Sequence, residues 1–452
     1  MCGIHHLQRF VGPFSRRDLL RLSLTGAVGI SASGWFEALA QAAADDKNRH
    51  RSCILLWMNG GPSQMDTFDL KPGSRNGGLF KDTATVVPGM NISEHMPQLA
   101  QWTKRMAIVR SMTAKEGDHG RATAYVRTGY VPSGPIHYPT LGSLVAKELG
   151  RPDAELPNFV SIAPNRALSP AAYSAGFLGA GYAPLIVGER TVASASGNDE
   201  GKLEVDDLEP PAEIQPEIVN SRLKLLDALN SGFLKNHPDA PASSYQAAYQ
   251  RAVELMQSKL AKAFKLEEEP AQVRDAYGRT RFGQGCLLAR RLVERSVPFV
   301  EVTLGSIDGA GAGWDTHTDN FEGVRKLSGV LDPAWATLMK ELDERGLLDS
   351  TLIVWMGEFG RTPQINSNGG RDHYPQAYSS VLAGGGIRGG QVIGKTSDDG
   401  LTVTDHPVTV PDLLATVCTA LGVDPMLQNE SNLGRPIRIV DPAAKPIAEV
   451  LL

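Results

Sequence analysis

The chain has 452 residues, 42% of them hydrophobic, and a formal charge of −5, which allows a large core and excludes a disordered chain. A mildly acidic balance without Lys/Arg blocks excludes nucleic acid as the main partner. Cys53, Cys286 and Cys418 lie in apolar contexts without metal-ligand spacing and read as core thiols, not as a disulfide framework.

The first element is a leader. "SRRDLLRLSLTGAVGISASGWFEALAQAAA" places Arg16 and Arg17 ahead of an apolar stretch and then small residues, the order of an export signal. Its Gly/Ser/Ala-rich middle, interrupted by Glu37, is too polar for a stable membrane span. Residues 1–44 therefore predict a signal read by the twin-arginine export machinery and a periplasmic or secreted protein. That route exports folded proteins, often after a metal has been inserted, so a metal site gains weight. Residues 45–452 are expected to form one domain.

"SCILLWM" (Ser52 to Met58) is a continuous apolar run ended by "NGGPS", the form of a strand buried on both faces of a parallel sheet. Similar runs follow: "MAIVRSM" (Met106 to Met112), "PNFVSIA" (Pro157 to Ala163), "PFVEVTL" (Pro298 to Leu304), "TLIVWM" (Thr351 to Met356) and "SSVLAGG" (Ser379 to Gly385). Helix-capable stretches separate them, which predicts an α/β fold with a largely parallel sheet and helices on both faces. Between about 210 and 297 the apolar residues fall at three- and four-residue spacing in "EIVNSRLKLLDALNSGFL", "SYQAAYQRAVELMQSKLAKAF" and "GQGCLLARRLVERS", three amphipathic helices. The acidic "EVDDLEPPAE" before them reads as a surface connection.

Ligands of open parallel sheets bind beyond the carboxyl ends of the strands, where loops converge on rigid supports. Four strand ends here carry ionisable groups: Asp66 and Asp69, with Ser63 beside them, after the first; Asp118, His119 and Arg121 after the second; Asp315 and His317 in "GWDTHTDNF"; and Glu358, Arg361, Asp372 and His373 in "GEFGRTPQINSNGGRDHYP". In an extended chain Asp315 and His317 project to one side about 6.5 Å apart, close enough to share an ion. Asp, Glu and His together suit a divalent metal ion, Ca, Zn, Mn or Mg according to their final mix. Each signal has a plainer structural explanation: capping for Asp66 and Asp69, a hydrogen-bonded core histidine for His119. His373 has no apolar periodicity around it to account for it. His95, His137, His237 and His406 sit in turns or proline-bearing loops and rank lower. "GGPSQ" lacks the second glycine of a serine-hydrolase elbow.

The ordered set "NGGPSQMDTFDLKPG", "AGFLGAGYAPL", "CLLARRLVE", "WDTHTDNF", "GEFGRTPQIN", "GRDHYP" and "GGGIRGGQVIG" spans nearly all of the chain after the leader. It resembles domain-of-unknown-function family 1501, exported bacterial proteins related to sulfatases and the alkaline-phosphatase superfamily. The resemblance implies an alkaline-phosphatase-like three-layer sandwich and a hydrolase of sulfate or phosphate esters, with an anionic ester or a sulfated polysaccharide as partner. It also implies that Asp315 and His317 match the superfamily's mid-chain metal pair, His373 its final histidine and Glu358 a later aspartate. Asp66 lies seven residues beyond Asn59, which stands near the expected first aspartate. Phe359 stands where a second histidine is expected, and "GDHGR" replaces the sulfatase nucleophile pattern. The metal set expected is thus Asp66, Asp315, His317, Glu358 and His373. Arg121 or Arg361 is expected to bind the tetrahedral anion, and His119 to protonate the leaving alcohol or complete the metal shell. Ser63, Ser111 and Thr113 remain as nucleophiles. The competing expectation is a non-catalytic exported protein binding a glycan, polyanion or protein.

Overall fold

The structure, a computed structural model, describes residues 51–167, 169–189, 203–205, 208, 213–236, 240–307 and 312–452. The leader of residues 1–44 and His237 lie outside the described residues.

Among the described residues nine strands form the central sheet: β1 (Ser52–Met58), β2 (Met106–Thr113), β3 (Phe159–Ile162), β4 (Leu185–Val187), β5 (Phe299–Leu304), β6 (Thr351–Met356), β7 (Tyr378–Gly384), β8 (Gln391–Ile393) and β9 (Val408–Thr409). Their order is β8-β2-β7-β6-β1-β5-β3-β4, with β9 also paired to β2. All pairings are parallel except those of β7, which runs antiparallel to both β2 and β6. The apolar runs are the strands, as their composition predicts. The direction of β7 follows from its connection: residues 357–377 contain no helix to carry a crossover, so the chain turns back on itself.

Alternation along β1 divides the core in two. Cys53, Leu55 and Trp57 pack with α1 (His119–Thr128), α2 (Leu141–Glu148) and, later in the chain, the helix Val410–Leu421. Ile54, Leu56 and Met58 face the opposite layer, which contains Arg281–Val293 and Asn320–Glu344. Both faces of the sheet are therefore covered, giving three layers. Two of the helices expected between 210 and 297 are α3 (Pro216–Asn236) and α4 (Ala240–Gln257), and the third is Arg281–Val293, here α5. The middle one stops earlier than its apolar pattern, because Ser258 accepts the Leu260 N–H and starts a 3₁₀ turn over Lys259–Phe264. The two remaining long helices are α6 (Asn320–Glu344) and α7 (Val410–Leu421). Residues 48–452 make one compact unit. Among the described residues no helix is long and apolar enough to cross a membrane. Cys53, Cys286 and Cys418 are buried free thiols, and burial raises the pKa of each.

Candidate metal centre

Strands β1, β2, β5 and β6 are mutually parallel in sense, so their carboxyl ends open on one edge of the sheet, and the antiparallel β7 begins at that same edge. The site is built from the segments leaving or entering there. His119 is the first residue of α1, held by the Asp118 N-cap, whose side chain accepts the Arg121 N–H. Asp315 and His317 precede α6. Glu358 follows β6, and His373 lies on a short ribbon pairing Gly360–Arg361 with His373–Tyr374 just before β7.

Asp315 Oδ1 is the centre of this group. It lies 3.3 Å from His119 Nε2, 3.2 Å from His317 Nε2 and 3.4 Å from His373 Nε2. His317 Nε2 and His373 Nε2 are 3.0 Å apart. Each ring is turned by its other nitrogen. His119 Nδ1 is 2.7 Å from Glu358 Oε1, which also accepts the Gly60 N–H at 2.9 Å. His317 Nδ1 is 2.7 Å from Asp372 Oδ1, and His373 Nδ1 donates to the Gly117 carbonyl at 2.8 Å. A carbonyl can only accept, so His373 carries its proton on Nδ1 and presents a bare lone pair at Nε2 in its neutral form. The same logic applies to His317 against the Asp372 carboxylate.

Neutral imidazoles so oriented aim lone pairs at one another and at a carboxylate, an arrangement that requires a positive charge between them. In the protein alone protons supply it. Burial draws the His119 imidazole down, but Asp315 and Glu358 outweigh that effect and hold it up to about 9. Burial raises the Asp315 carboxyl, and His119, His373 and Arg361 more than reverse this, taking it well below the carboxylate range. A cation would supply the charge equally well. One donor atom each from His119, Asp315 and His373 falls within 4.8 Å of the other two. The 3.3 and 3.4 Å separations are those of neighbouring donors around an ion with bonds of roughly 2.0–2.2 Å. His119 Nε2 and Glu358 Oε2 are buried without a hydrogen-bond partner, which is what an ion site leaves behind when protein groups alone are counted.

Of the residues expected here, the structure brings together His119, Asp315, His317, Glu358 and His373. Glu358 turns toward His119 and not toward the shared centre. Asp66 is not brought in: its carboxylate accepts from Ser63 Oγ, Asn320 Nδ2 and Arg371 Nε, a fully buried cluster beneath the site. Arg361 is fully buried, with Nε on the Gly61 carbonyl, Nη1 on that of Arg371, and Nη2 shared by the Gly60 carbonyl and Asp315 Oδ1. It braces Asp315, with four of its five N–H donors committed to these partners and the side chain fully buried. Arg121 is exposed and paired with Glu116. The hydroxyls of Ser63, Ser111 and Thr113 bond to Asp66, the His406 carbonyl and the Val408 carbonyl. Among the described residues no Ser or Thr hydroxyl hydrogen-bonds the donor atoms of the group.

Sequence reasoning assigned no role to the Gly117 carbonyl or the Gly60 amide, because main-chain groups carry no residue signal. The glycines of "NGG" admit the protein's own chain. At Gly60, φ is +111°, and a Cβ would meet the Asp315 nitrogen at 2.4 Å.

Three structures with similar overall architecture are the lipoteichoic acid synthase LtaP from Listeria monocytogenes (10% identity, 89% of this chain and 80% of that one, TM-score 0.39), a protein in the alkaline phosphatase superfamily from Vibrio parahaemolyticus (11%, 87% and 76%, TM-score 0.39) and a phosphonate monoester hydrolase from Silicibacter pomeroyi (12%, 88% and 76%, TM-score 0.38). No curated protein matches the sequence. A family model described as "Protein of unknown function (DUF1501)" matches residues 50–451, and the chain belongs to that family.

Proposed function

We propose that this protein is an exported, metal-dependent hydrolase of sulfate or phosphate esters. The observation that carries the reading is the convergence of His119, His317 and His373 on Asp315 Oδ1, with every Nδ1 already held. A site of imidazoles and one carboxylate suits zinc, manganese or another first-row divalent ion better than the all-oxygen preference of calcium or magnesium. Such an ion, when bound, supplies Lewis acidity toward an ester oxygen and toward water.

The protein's own part is orientation. Glu358 and the Gly117 carbonyl turn His119 and His373, and Arg361 fixes Asp315 from below. Among the described residues no Ser or Thr hydroxyl hydrogen-bonds the group, which favours water as the nucleophile. His317 and Asp372 are partly open to solvent, so a bulky ester, such as one borne on a polysaccharide, reaches the centre without entering a deep pocket.

One observation favours the second reading, a non-catalytic polyanion binder: neither Arg121 nor Arg361 is disposed to hold a tetrahedral anion. Metal analysis of the purified protein, followed by aryl sulfate and aryl phosphate assays, separates the two. Metal-dependent turnover lost in His373→Ala, with folding intact, supports hydrolysis; stoichiometric metal without turnover supports binding. Export rests on Arg16 and Arg17, and replacing both with lysine is expected to leave the protein in the cytoplasm on cell fractionation.

A further inference from the structure

We infer that the metal centre is divided into three fixed ligands, His119, Asp315 and His373, and one exchangeable ligand, His317, which occupies the place of an incoming oxygen until it turns away. This rests on the metal reading above and concerns how that site opens.

The division comes from how each ring is held. His119 has 15% of its side chain exposed and is oriented by Glu358, which is almost completely buried. His373 is oriented by a main-chain carbonyl, which cannot rotate independently of its loop. Asp315 is pinned by the buried Arg361. His317 differs on every count: 43% of its side chain is exposed, and its anchor Asp372 is 53% exposed. A hydrogen bond between two such groups competes with water and contributes little. His317 Nε2 approaches the centre as closely as the others, 3.2 Å from Asp315 Oδ1 and 3.0 Å from His373 Nε2, so what sets it apart is its exposure and its exposed anchor.

The backbone beneath His317 is, by contrast, firmly held. Its carbonyl accepts from Asn366 Nδ2 at 3.0 Å, and the neighbouring Thr316 carbonyl accepts the Arg371 N–H at 3.0 Å. A Cβ on Gly370 would lie 1.9 Å from the His317 oxygen, so the two strands of chain are in close apposition. Exchange is therefore a rotation of the side chain that gives up the Asp372 contact, with no loop movement. Catalytic sites with three protein ligands and one open position follow the same logic, the fourth place being left to water or substrate.

The test loads wild type, His317→Ala, Asp372→Asn and His373→Ala with cobalt(II), whose visible spectrum reports coordination, and titrates each with inorganic phosphate and sulfate. His317→Ala is expected to keep one ion per chain with affinity reduced about tenfold, and to show an anion-dependent spectrum at lower anion concentration than wild type. Asp372→Asn shifts in the same direction. His373→Ala loses the ion. Two results overturn the inference: His317→Ala losing the ion as completely as His373→Ala, or His317→Ala matching wild type in both affinity and spectrum. Failure of wild type to bind cobalt, zinc or manganese at all would instead sink the metal reading itself. Circular dichroism confirms that each variant is folded.

Discussion

Glu358 orients His119 from inside the protein, and its single oxygen Oε1 serves both the ring and the Gly60 amide. Carboxylates that hold a ligating histidine typically contribute 10–100-fold to metal affinity. Glu358→Gln preserves the shape and an acceptor oxygen but removes the charge. It is expected to weaken zinc binding by roughly tenfold or more while leaving the fold intact, measured by competition with a chromogenic chelator. Glu358→Ala also strands the buried Gly60 N–H, adding a cost of about 1–3 kcal/mol that appears in denaturant unfolding. An unchanged affinity in both variants would show that His119 needs no such support. At this scale the sequence was partly legible. Lack of apolar periodicity pointed to His373, and position beyond a strand end with alternate spacing pointed to Asp315 and His317. Whether a carboxylate ligates or orients depends on a rotation of a few ångströms, and for Glu358 and Asp66 no neighbouring residue signals it.

The turn after β1 shows what the elements contribute. Strand β1 delivers Asn59 and Gly60 to the sheet edge, where the Asn59 carbonyl accepts the Trp314 N–H and the Gly60 amide meets Glu358. Gly60 thus joins the segment after β6 to the segment that carries Asp315. Gly60→Ala is strained twice, by its positive φ and by contact with the Asp315 backbone. Gly73 provides a control, since its φ is +85° but nothing lies within 4 Å of its Cβ position. Both substitutions are expected to cost about 1–3 kcal/mol for conformation, but only Gly60→Ala is expected to weaken metal binding as well, because it must displace Asp315. Equal affinity in the two variants would separate the turn from the site. Six of the nine described sheet strands were readable from their apolar runs because a strand covered on both faces has no polar side to interrupt it; β4, β8 and β9, of two or three residues each, are too short to give such a run. The reversal of β7 was not readable from its own residues; it depends on what the connection before it lacks.

Across the whole molecule, the site depends on α1 sitting at one rotation on the sheet, since His119 begins that helix and Arg127 lies near its other end. Arg127 is buried against the sheet face, with both Nη atoms on the Glu301 carboxylate at 2.6 and 2.7 Å. Its guanidinium stacks 4.4 Å from the Trp57 ring and 4.0 Å from that of Tyr173. Glu301 belongs to β5 and also accepts from Ser161 on the adjacent β3. An ion pair placed here sets position more than it adds stability, because desolvation offsets much of the attraction. Removing one partner leaves the other charged and buried, so Glu301→Ala is expected to destabilise by about 3–5 kcal/mol. The double variant Arg127→Met, Glu301→Leu replaces the pair with apolar side chains and is expected to recover most of that loss. If the pair fixes the rotation of α1, the double variant will bind zinc less tightly than wild type even though its unfolding midpoint is nearly restored. Affinity returning together with stability would mean that the Asp118 cap and the Glu358 contact alone hold His119, and that the pair serves the core without reaching the site.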